Sequence, residues 1–262
     1  MGDLLPHARW CPVRGGHQRA GLRPRRGPRA SGRGAETAEP ARASARGPGT
    51  ASGADRGMTY HAAVTEGAPG APLVFTFHGT GGTESQFHTA ARDLVAGATV
   101  ISPRGDVSEG GALRFFRRTG EGVYDMADLA RRTEAMADFL SEKKAAHAPS
   151  ETVGLGYSNG ANILASVAMA HPDIVDRLVL LHPLIPFDPD PQPGLADRRV
   201  LITAGRHDPI CPTPLTQRFA DWLEDQGAHV RVDWHEGGHE IRAEEIDAVQ
   251  DFLAGIRTAP AP

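Results

Sequence analysis

The sequence predicts an α/β protein with a mostly parallel sheet and helices on both of its faces. From about residue 70 onward, short apolar runs of strand length alternate with longer segments of helical periodicity. The runs 73–77 and 178–181 are apolar almost throughout, which is typical of strands buried on both faces. The segment 128–146 carries an apolar stripe at helical spacing and keeps its charges elsewhere.

The remaining elements follow in regular order along the chain. The predicted strands are short apolar or alternating runs at 73–77, 98–102, 152–157, 178–181, 200–203 and 230–234. The predicted helices have one apolar face, at 85–95, 128–146, 159–170, 214–226 and around 246–253. Thr213 as N-cap, Pro214 at the first helical position and Gly227 after the last turn delimit the fourth helix. The strand 230–234 alternates with period two, so we expect it near a sheet edge.

Residues 1–57 differ in composition from the rest of the chain. They hold eleven arginines, no lysine and four acidic residues, a balance of +7, which leaves −11 for residues 58–262. The segment is rich in Gly, Pro, Ala and Arg, so we expect a disordered tail followed by one domain over 58–262. A nucleic-acid-binding arm and an organelle transit peptide are two interpretations of such a tail. We favour a third, a native start at Met58, and expect no nucleic-acid partner.

Composition also bears on location. No run approaches the roughly 18 apolar residues of a membrane span, so we expect no membrane-spanning segment. The two cysteines, Cys11 and Cys211, lie far apart in unlike surroundings, which does not suit a disulfide framework. A reducing compartment, the cytoplasm, is therefore the expected location.

Residues 156–160 form a G-x-S-x-G motif between a predicted strand and a predicted helix. So tight a turn needs small flanking residues, and it presents the serine hydroxyl at the carboxyl end of the sheet, as in the α/β-hydrolase fold. The helix that begins there directs N–H groups and a positive dipole end at developing negative charge. Ser158 is therefore predicted to be a catalytic nucleophile rather than part of a plain glycine-rich turn.

A serine nucleophile needs a base to accept its proton and an acid to orient that base. In this fold the order along the chain is serine, acid, histidine, on loops after later strands. Asp208 follows the strand 200–203 and His239 follows the strand 230–234, so they are the predicted acid and base. The competing acids and histidines fit this order less well: Asp188, Asp190, His182, His207 and His235.

Residues 78–82, with the sequence HGTGG, follow the strand 73–77 and are the candidate second half of an oxyanion hole. Glycines let a backbone approach a substrate oxygen closely. The predicted donors are the backbone N–H groups of Thr80 and Asn159. His78 is interpreted as a residue that braces this loop through hydrogen bonds.

Two further patterns allow more than one interpretation. Residues 235–239 satisfy H-E-x-x-H, the zinc-protease motif, but that motif acts on a helix and here a strand pattern precedes two adjacent glycines. We therefore predict no metal site. Arg114, Phe115 and Phe116 either line a substrate pocket, with the arginine facing a substrate carboxylate, or belong to an anchored loop.

From about residue 73 to 241 the chain resembles the bacterial carboxylesterase/phospholipase family of α/β-hydrolases, in particular the dienelactone hydrolase-like proteins of quinone-response operons. The motifs that carry the resemblance are 78–82, 114–118 with 121–123, 156–162, 208–211 and 238–239. The resemblance implies hydrolysis of small esters or thioesters without a cofactor. Dienelactone hydrolases proper carry a cysteine at the elbow, so Ser158 argues against lactone chemistry.

The resemblance and the motifs leave several properties open. No long cap insertion is evident, so we expect an open site for a small or flexible substrate. A peptidase or amidase on the same residues is one alternative, and a ligand-binding module with vestigial catalysis is another. A homodimer is one candidate oligomeric state.

Overall fold

The computed structural model describes residues 60–256. Its strands are β1 Ala62–Thr65, β2 Leu73–Phe77, β3 Thr99–Pro103, β4 Val107–Glu109, β5 Ala112–Arg114, β6 Arg118–Gly120, β7 Val123–Tyr124, β8 Thr152–Tyr157, β9 Arg177–Leu181, β10 Arg199–Gly205 and β11 His229–His235. Its helices are α1 His88–Leu94, α2 Met126–His147, α3 Asn159–Ala170, α4 Thr213–Asp225 and α5 Ala243–Leu253. The tail predicted over 1–57, the candidate start Met58 and Cys11 lie outside the described residues.

Seven strands form one sheet in the order β1-β3-β2-β8-β9-β10-β11. β1 runs antiparallel to β3, and every other neighbouring pair is parallel. Tyr157 of β8 lies beside Leu181 of β9, and Gly205 of β10 lies beside His235 of β11. Because parallel neighbours end together, the residues that follow these four strands meet at one edge of the sheet.

The core lies on both faces of the sheet. In β9, Leu178 and Leu180 pack in the layer that includes α2, α3 and α4. Val179 and Leu181 pack on the opposite face, in the layer that includes α1 and α5. This arrangement confirms the predicted α/β fold with helices on both faces. Among the described residues, 60–256, no helix has the length and apolarity needed to cross a membrane.

The structure differs from the sequence prediction at short elements. The edge strand β1 was not predicted, nor were the two small hairpins, β4–β5 and β6–β7, between β3 and α2. Strands of two to four residues are too short to show a period. Helix α1 begins at residue 88 rather than 85, because Thr83 and Ser85 bond to each other in a turn, with 2.8 Å between their hydroxyl oxygens. Thr213 is the first residue of α4 and not its N-cap, which is Pro212.

Candidate active site

Ser158 lies in the sharp turn between β8 and α3. Its φ is 53° and its ψ is −118°, a conformation that side chains rarely adopt. Helix α3 starts directly against the end of β2, since a Cβ atom on Gly160 would lie 2.4 Å from the carbonyl oxygen of Phe77. The second glycine of the motif is therefore required by this close approach, and the turn presents the hydroxyl at the sheet edge.

The side chains of Ser158, His239 and Asp208 form one continuous hydrogen-bonded row. The distance from His239 Nε2 to Ser158 Oγ is 2.9 Å. The distance from His239 Nδ1 to Asp208 Oδ2 is 2.7 Å. The structure thus brings together the three residues that the sequence singled out, from the loops after β8, β10 and β11.

Asp208 is held as a buried carboxylate. Its Oδ1 accepts the backbone N–H groups of Ile210 and Cys211, at 2.8 Å and 3.0 Å. Burial raises the pKa of Asp208, but hydrogen bonds from His182, His239 and the Cys211 amide outweigh burial and hold the pKa below its ordinary value. The ionised form is therefore the one that faces His239.

The loop that carries His239 is fixed at two points. The Tyr157 hydroxyl donates to the carbonyl oxygen of His239 at 2.6 Å, which ties this loop to the end of β8. At the end of β10, a Cβ atom on Gly205 would lie 2.1 Å from the carbonyl oxygen of Gly238. The backbones that carry Asp208 and His239 thus approach each other more closely than any side chain allows.

The candidate oxyanion hole lies between the start of α3 and the loop after β2. Asn159 is the first residue of α3, where backbone N–H groups have no partner within the helix. Its side-chain Oδ1 accepts the N–H of Phe115 at 2.7 Å. On the other side, the Thr80 hydroxyl accepts from Nη1 of Arg114 at 2.7 Å. Both residues predicted as donors are therefore tied to the same segment of chain, 114–115.

His78 braces the loop, as the sequence indicated. Its Nε2 accepts the N–H of Gly105 at 2.9 Å, so Nδ1 carries the proton and donates to the carbonyl oxygen of Gly79 at 2.7 Å. Burial lowers the pKa of His78, which favours this neutral ring.

Arg114, Phe115 and Phe116 are buried rather than exposed to a substrate. Arg114 is 4% exposed and the two phenylalanines are fully buried. The ring of Phe115 lies against His78, with 4.6 Å between centroids, and that of Phe116 lies against Tyr124 at 4.8 Å. These side chains therefore pack beneath the candidate oxyanion hole and do not form the pocket wall that one interpretation expected. The alternative of an anchored loop describes them better.

A second group of polar side chains lies behind Asp208. The sequence named two of its members only as competing histidines and did not predict that they form a cluster. His182 follows β9, His235 ends β11 and Glu245 belongs to α5, and all three are buried. The distance from His182 Nδ1 to Asp208 Oδ2 is 2.9 Å, and from His182 Nε2 to Glu245 Oε1 it is 3.0 Å. The one signal for this group in the sequence was a histidine directly after a fully apolar strand.

The ligand atoms of His182, His235 and Glu245 lie within 4.8 Å of one another, close enough to surround a metal ion. Their hydrogen bonds favour a proton network instead. The N–H of Gly237 donates to His235 Nδ1 at 3.0 Å, so the ring proton is on Nε2, the atom that would have to bind the metal. His235 and His239 also do not share a helix, because β11 ends at His235. The H-E-x-x-H pattern is therefore not arranged as in zinc proteases.

The fold and this geometry agree with a comparison to known protein families. The dienelactone hydrolase family model matches residues 59–248. The chain belongs to the dienelactone hydrolase family. A curated relative, MhqD of Bacillus subtilis (strain 168), is 35% identical over 182 residues, which are 69% of this chain and 91% of that protein.

Solved structures extend the family relationship to the fold. Atu2452 of Agrobacterium tumefaciens str. C58, a protein of unknown function, is 53% identical with a TM-score of 0.72, covering 76% of this chain and 97% of that one. A carboxylesterase of Bacillus cereus is 32% identical with a TM-score of 0.70, covering 76% of this chain and 95% of that one. The family member described here is thus a hydrolase with the α/β-hydrolase fold, of the carboxylesterase type by its structural relatives. The resemblance seen in the sequence is confirmed.

Proposed function

We propose that the protein hydrolyses carboxylic esters or thioesters of small molecules through an acyl-enzyme on Ser158. The observation that carries this proposal is the row of hydrogen bonds from Ser158 Oγ through His239 to the Asp208 carboxylate, at 2.9 Å and 2.7 Å. A serine becomes a nucleophile when a base oriented by a third group accepts its proton, and these distances fit that transfer. The B. cereus carboxylesterase among the structural relatives supports an ester as the substrate class.

In the first step, Ser158 Oγ attacks the ester carbonyl carbon while His239 Nε2 accepts the hydroxyl proton. Asp208 keeps the proton of the neutral ring on Nδ1, so that Nε2 presents its lone pair to the serine. Protonated His239 then gives its proton to the departing alkoxide or thiolate, which leaves the acyl group on Ser158.

In the second step, water replaces the leaving group. His239 takes a proton from the water, hydroxide attacks the acyl carbon, and Ser158 Oγ leaves with that proton. In both steps the carbonyl oxygen carries negative charge, which the N–H groups of Asn159 and Thr80 stabilise. Loss of one such donor typically lowers the rate by roughly a hundred- to a thousandfold.

We further propose that the site is open to small or flexible substrates in the cytoplasm. His239 keeps 17% of its side chain exposed although its partner Asp208 keeps none. Between β3 and α2 the chain forms two hairpins with strands of two to three residues, and these are small compared with a cap domain. Cys211 is a free thiol, which suits a reducing compartment.

The first test is Ser158→Ala, with Ser166→Ala as a matched control. Ser166 lies two turns further along α3, and its buried hydroxyl has no hydrogen-bond partner among residues 60–256. We expect Ser158→Ala to lose turnover of p-nitrophenyl acetate and covalent labelling by a fluorophosphonate. Ser166→Ala should keep both, because its side chain lies outside the row of hydrogen bonds.

Near wild-type ester turnover by a folded Ser158→Ala protein would refute the acyl-enzyme proposal. The leaving group is tested separately, with matched ester, thioester and amide substrates on the wild-type protein. Amide turnover at a rate comparable with ester turnover would contradict the proposed substrate class and leave the mechanism standing.

A further inference from the structure

His182 is enclosed between two carboxylates. Its side chain has no exposed surface, and neither has that of Asp208, while that of Glu245 is 2% exposed. Asp208 Oδ2 lies 2.9 Å from His182 Nδ1, and Glu245 Oε1 lies 3.0 Å from His182 Nε2. Each ring nitrogen therefore faces an oxygen that only accepts hydrogen bonds.

This geometry determines the protonation of the ring. A neutral imidazole has a lone pair on one nitrogen, and here that lone pair would point at a carboxylate oxygen in a buried place. The doubly protonated ring donates at both ends instead. Burial lowers the pKa of His182, but its hydrogen bonds to Asp208 and Glu245 outweigh burial and raise the pKa to about 9.

Glu245 is equipped to remain ionised next to this cation. Its Oε1 also accepts the Thr203 hydroxyl at 2.6 Å, and its Oε2 accepts the N–H of Arg242 at 2.7 Å. Its Oε2 further lies 3.3 Å from Nε2 of His235. Burial raises the pKa of Glu245, but the hydrogen bonds from His182 and Thr203 outweigh burial and leave the pKa below its ordinary value.

The groups that face His182 come from every neighbouring element. They are Tyr157 at the end of β8, Asp208 and Cys211 after β10, His235 and His239 at and after β11, and Glu245 of α5. Of these, Asp208 and Glu245 are the two anions. The rings of His182 and His239 lie 5.1 Å apart between centroids, and both donate to the same oxygen, Oδ2 of Asp208.

We propose that His182 is a positioning residue of the active site: held as a cation by Glu245, it fixes the Asp208 carboxylate and sets the pH range in which His239 acts as the base. This inference rests on the proposed function of Ser158, Asp208 and His239. His182 donates the second hydrogen bond to the oxygen that orients His239, so it restricts rotation of the Asp208 carboxylate. Its positive charge lies next to His239, with 5.1 Å between the ring centroids, and therefore disfavours a second positive charge there.

The charge balance of the cluster supports this role. With His182 protonated and His239 neutral, Asp208, Glu245 and His182 together carry a single negative charge. When His239 takes the serine proton, the cluster becomes neutral as a whole. Without the His182 cation, Asp208 and Glu245 would leave two buried negative charges with no positive charge between them.

The backbone conformation of His182 supports the inference independently of the side-chain contacts. Its φ is 50°, in the left-handed region that a non-glycine residue adopts at an energetic cost. Its N–H donates to the carbonyl oxygen of Thr203 at 2.8 Å. Such strain persists where surrounding contacts hold the residue in its conformation. Here that conformation directs the His182 ring between Asp208 and Glu245.

The test is the pH profile of kcat/KM for ester turnover in three full-length variants. In His182→Gln the cation is removed, and we expect the acid limb to move upward by about one pH unit, the shift expected from a charge at this distance. In His182→Gln/Glu245→Gln one anion is removed as well, and we expect the limb to return most of the way to the wild-type position. The control is His229→Gln, an exposed residue at the opposite end of β11, whose limb should not move.

A merely structural role predicts a different pattern. If His182 only fills space, His182→Gln lowers kcat/KM at all pH values without moving the limb, and the second substitution makes the loss worse. Either result would overturn the inference. Should the single variant not fold, the protonation of the His182 ring in the wild-type protein still tests the charge argument.

The protonation of His182 can also be measured without activity. In wild-type protein labelled with ¹⁵N-histidine, we expect both ring nitrogens of His182 to carry protons at pH 8, and a bare nitrogen there would contradict the proposal. Loss of both signals on addition of Zn²⁺ would identify the cluster as a metal site and would also overturn it. If Ser158→Ala keeps its turnover, the proposed function fails whatever the NMR result. If Ser158→Ala loses its turnover but His182→Gln leaves the acid limb in place, only the proposed role of His182 is contradicted.

Discussion

At the scale of single residues, Ser158 combines a hydroxyl that the proposed function needs with a backbone conformation that lowers stability. Its hydroxyl is presented to His239 because the backbone adopts a φ of 53° and a ψ of −118°. That conformation costs a non-glycine residue on the order of 1–3 kcal/mol. The energetic cost belongs to the backbone and not to the hydroxyl, so it remains when the hydroxyl is removed.

A comparison of two substitutions separates these contributions. Ser158→Gly should be more stable than Ser158→Ala by about 1 kcal/mol, because glycine adopts a positive φ without strain. Denaturant unfolding of both variants measures the difference. The control is the same pair at Ser166, inside α3, where glycine should be less stable than alanine by about 1 kcal/mol. The same order of stability at both positions would contradict the strain.

The sequence predicted some residues of the candidate site and not others, for a physical reason. Ser158, Asp208 and His239 each follow a recognisable strand, and a parallel sheet brings the ends of neighbouring strands together. The contact between His182 and Glu245 joins a strand end to a helix that packs beneath the sheet. No short pattern records such a contact, because it depends on how α5 is oriented against β10.

At the scale of elements, the end of β10 and the loop after β11 approach each other as closely as only glycine permits. Gly205→Ala would place a Cβ atom 2.1 Å from the carbonyl oxygen of Gly238, so the two loops must separate. We expect a loss of about 1–3 kcal/mol in stability and about a hundredfold in kcat/KM, since His239 moves relative to Ser158. Gly255→Ala is the matched control, because its Cβ would meet no atom within 4 Å. Unchanged turnover in Gly205→Ala would show that the loops tolerate the shift.

Elements also differ in how well sequence alone predicts them. The strands β2 and β9 are buried along their whole length, and each is apolar except for one residue, Thr76 in β2 and Arg177 in β9. β1 pairs with β3 alone and is half exposed, so its sequence carries little pattern. The hairpins before α2 owe their structure to turns and to contacts such as that of Arg114 with Thr80, which no local period reveals.

At the scale of the whole molecule, the buried His182 couples stability to pH. The pKa of His182 rises from 6.5 to about 9 on folding, so the ring binds its second proton more tightly in the folded protein. This contribution is fully present below about pH 6.5 and is lost as the pH rises through about 9. The Asp208 carboxylate acts in the opposite direction, since its lowered pKa contributes stability that is lost as the pH falls below 3.8.

We therefore expect the free energy of unfolding to fall by on the order of 2 kcal/mol between pH 6.5 and 9. Urea unfolding at several pH values measures this change. The variant His182→Gln/Glu245→Gln is the comparison, because it lacks the titrating ring and should show a weaker slope in the same range. Equal slopes in both proteins would mean that other groups cause the dependence.

The position of β11 has a consequence for how the enzyme fails. This strand is the last in the sheet, bonded to β10 alone, and all of its residues except His235 keep some exposed surface. His239 lies in the loop after this strand, whereas Ser158 follows a strand with neighbours on both sides. Heat or denaturant that loosens this edge of the sheet would displace His239, the proposed proton acceptor, before the centre of the protein unfolds. Inactivation would then run ahead of any change in circular dichroism, and a sample that still looks native by spectroscopy can already be inert.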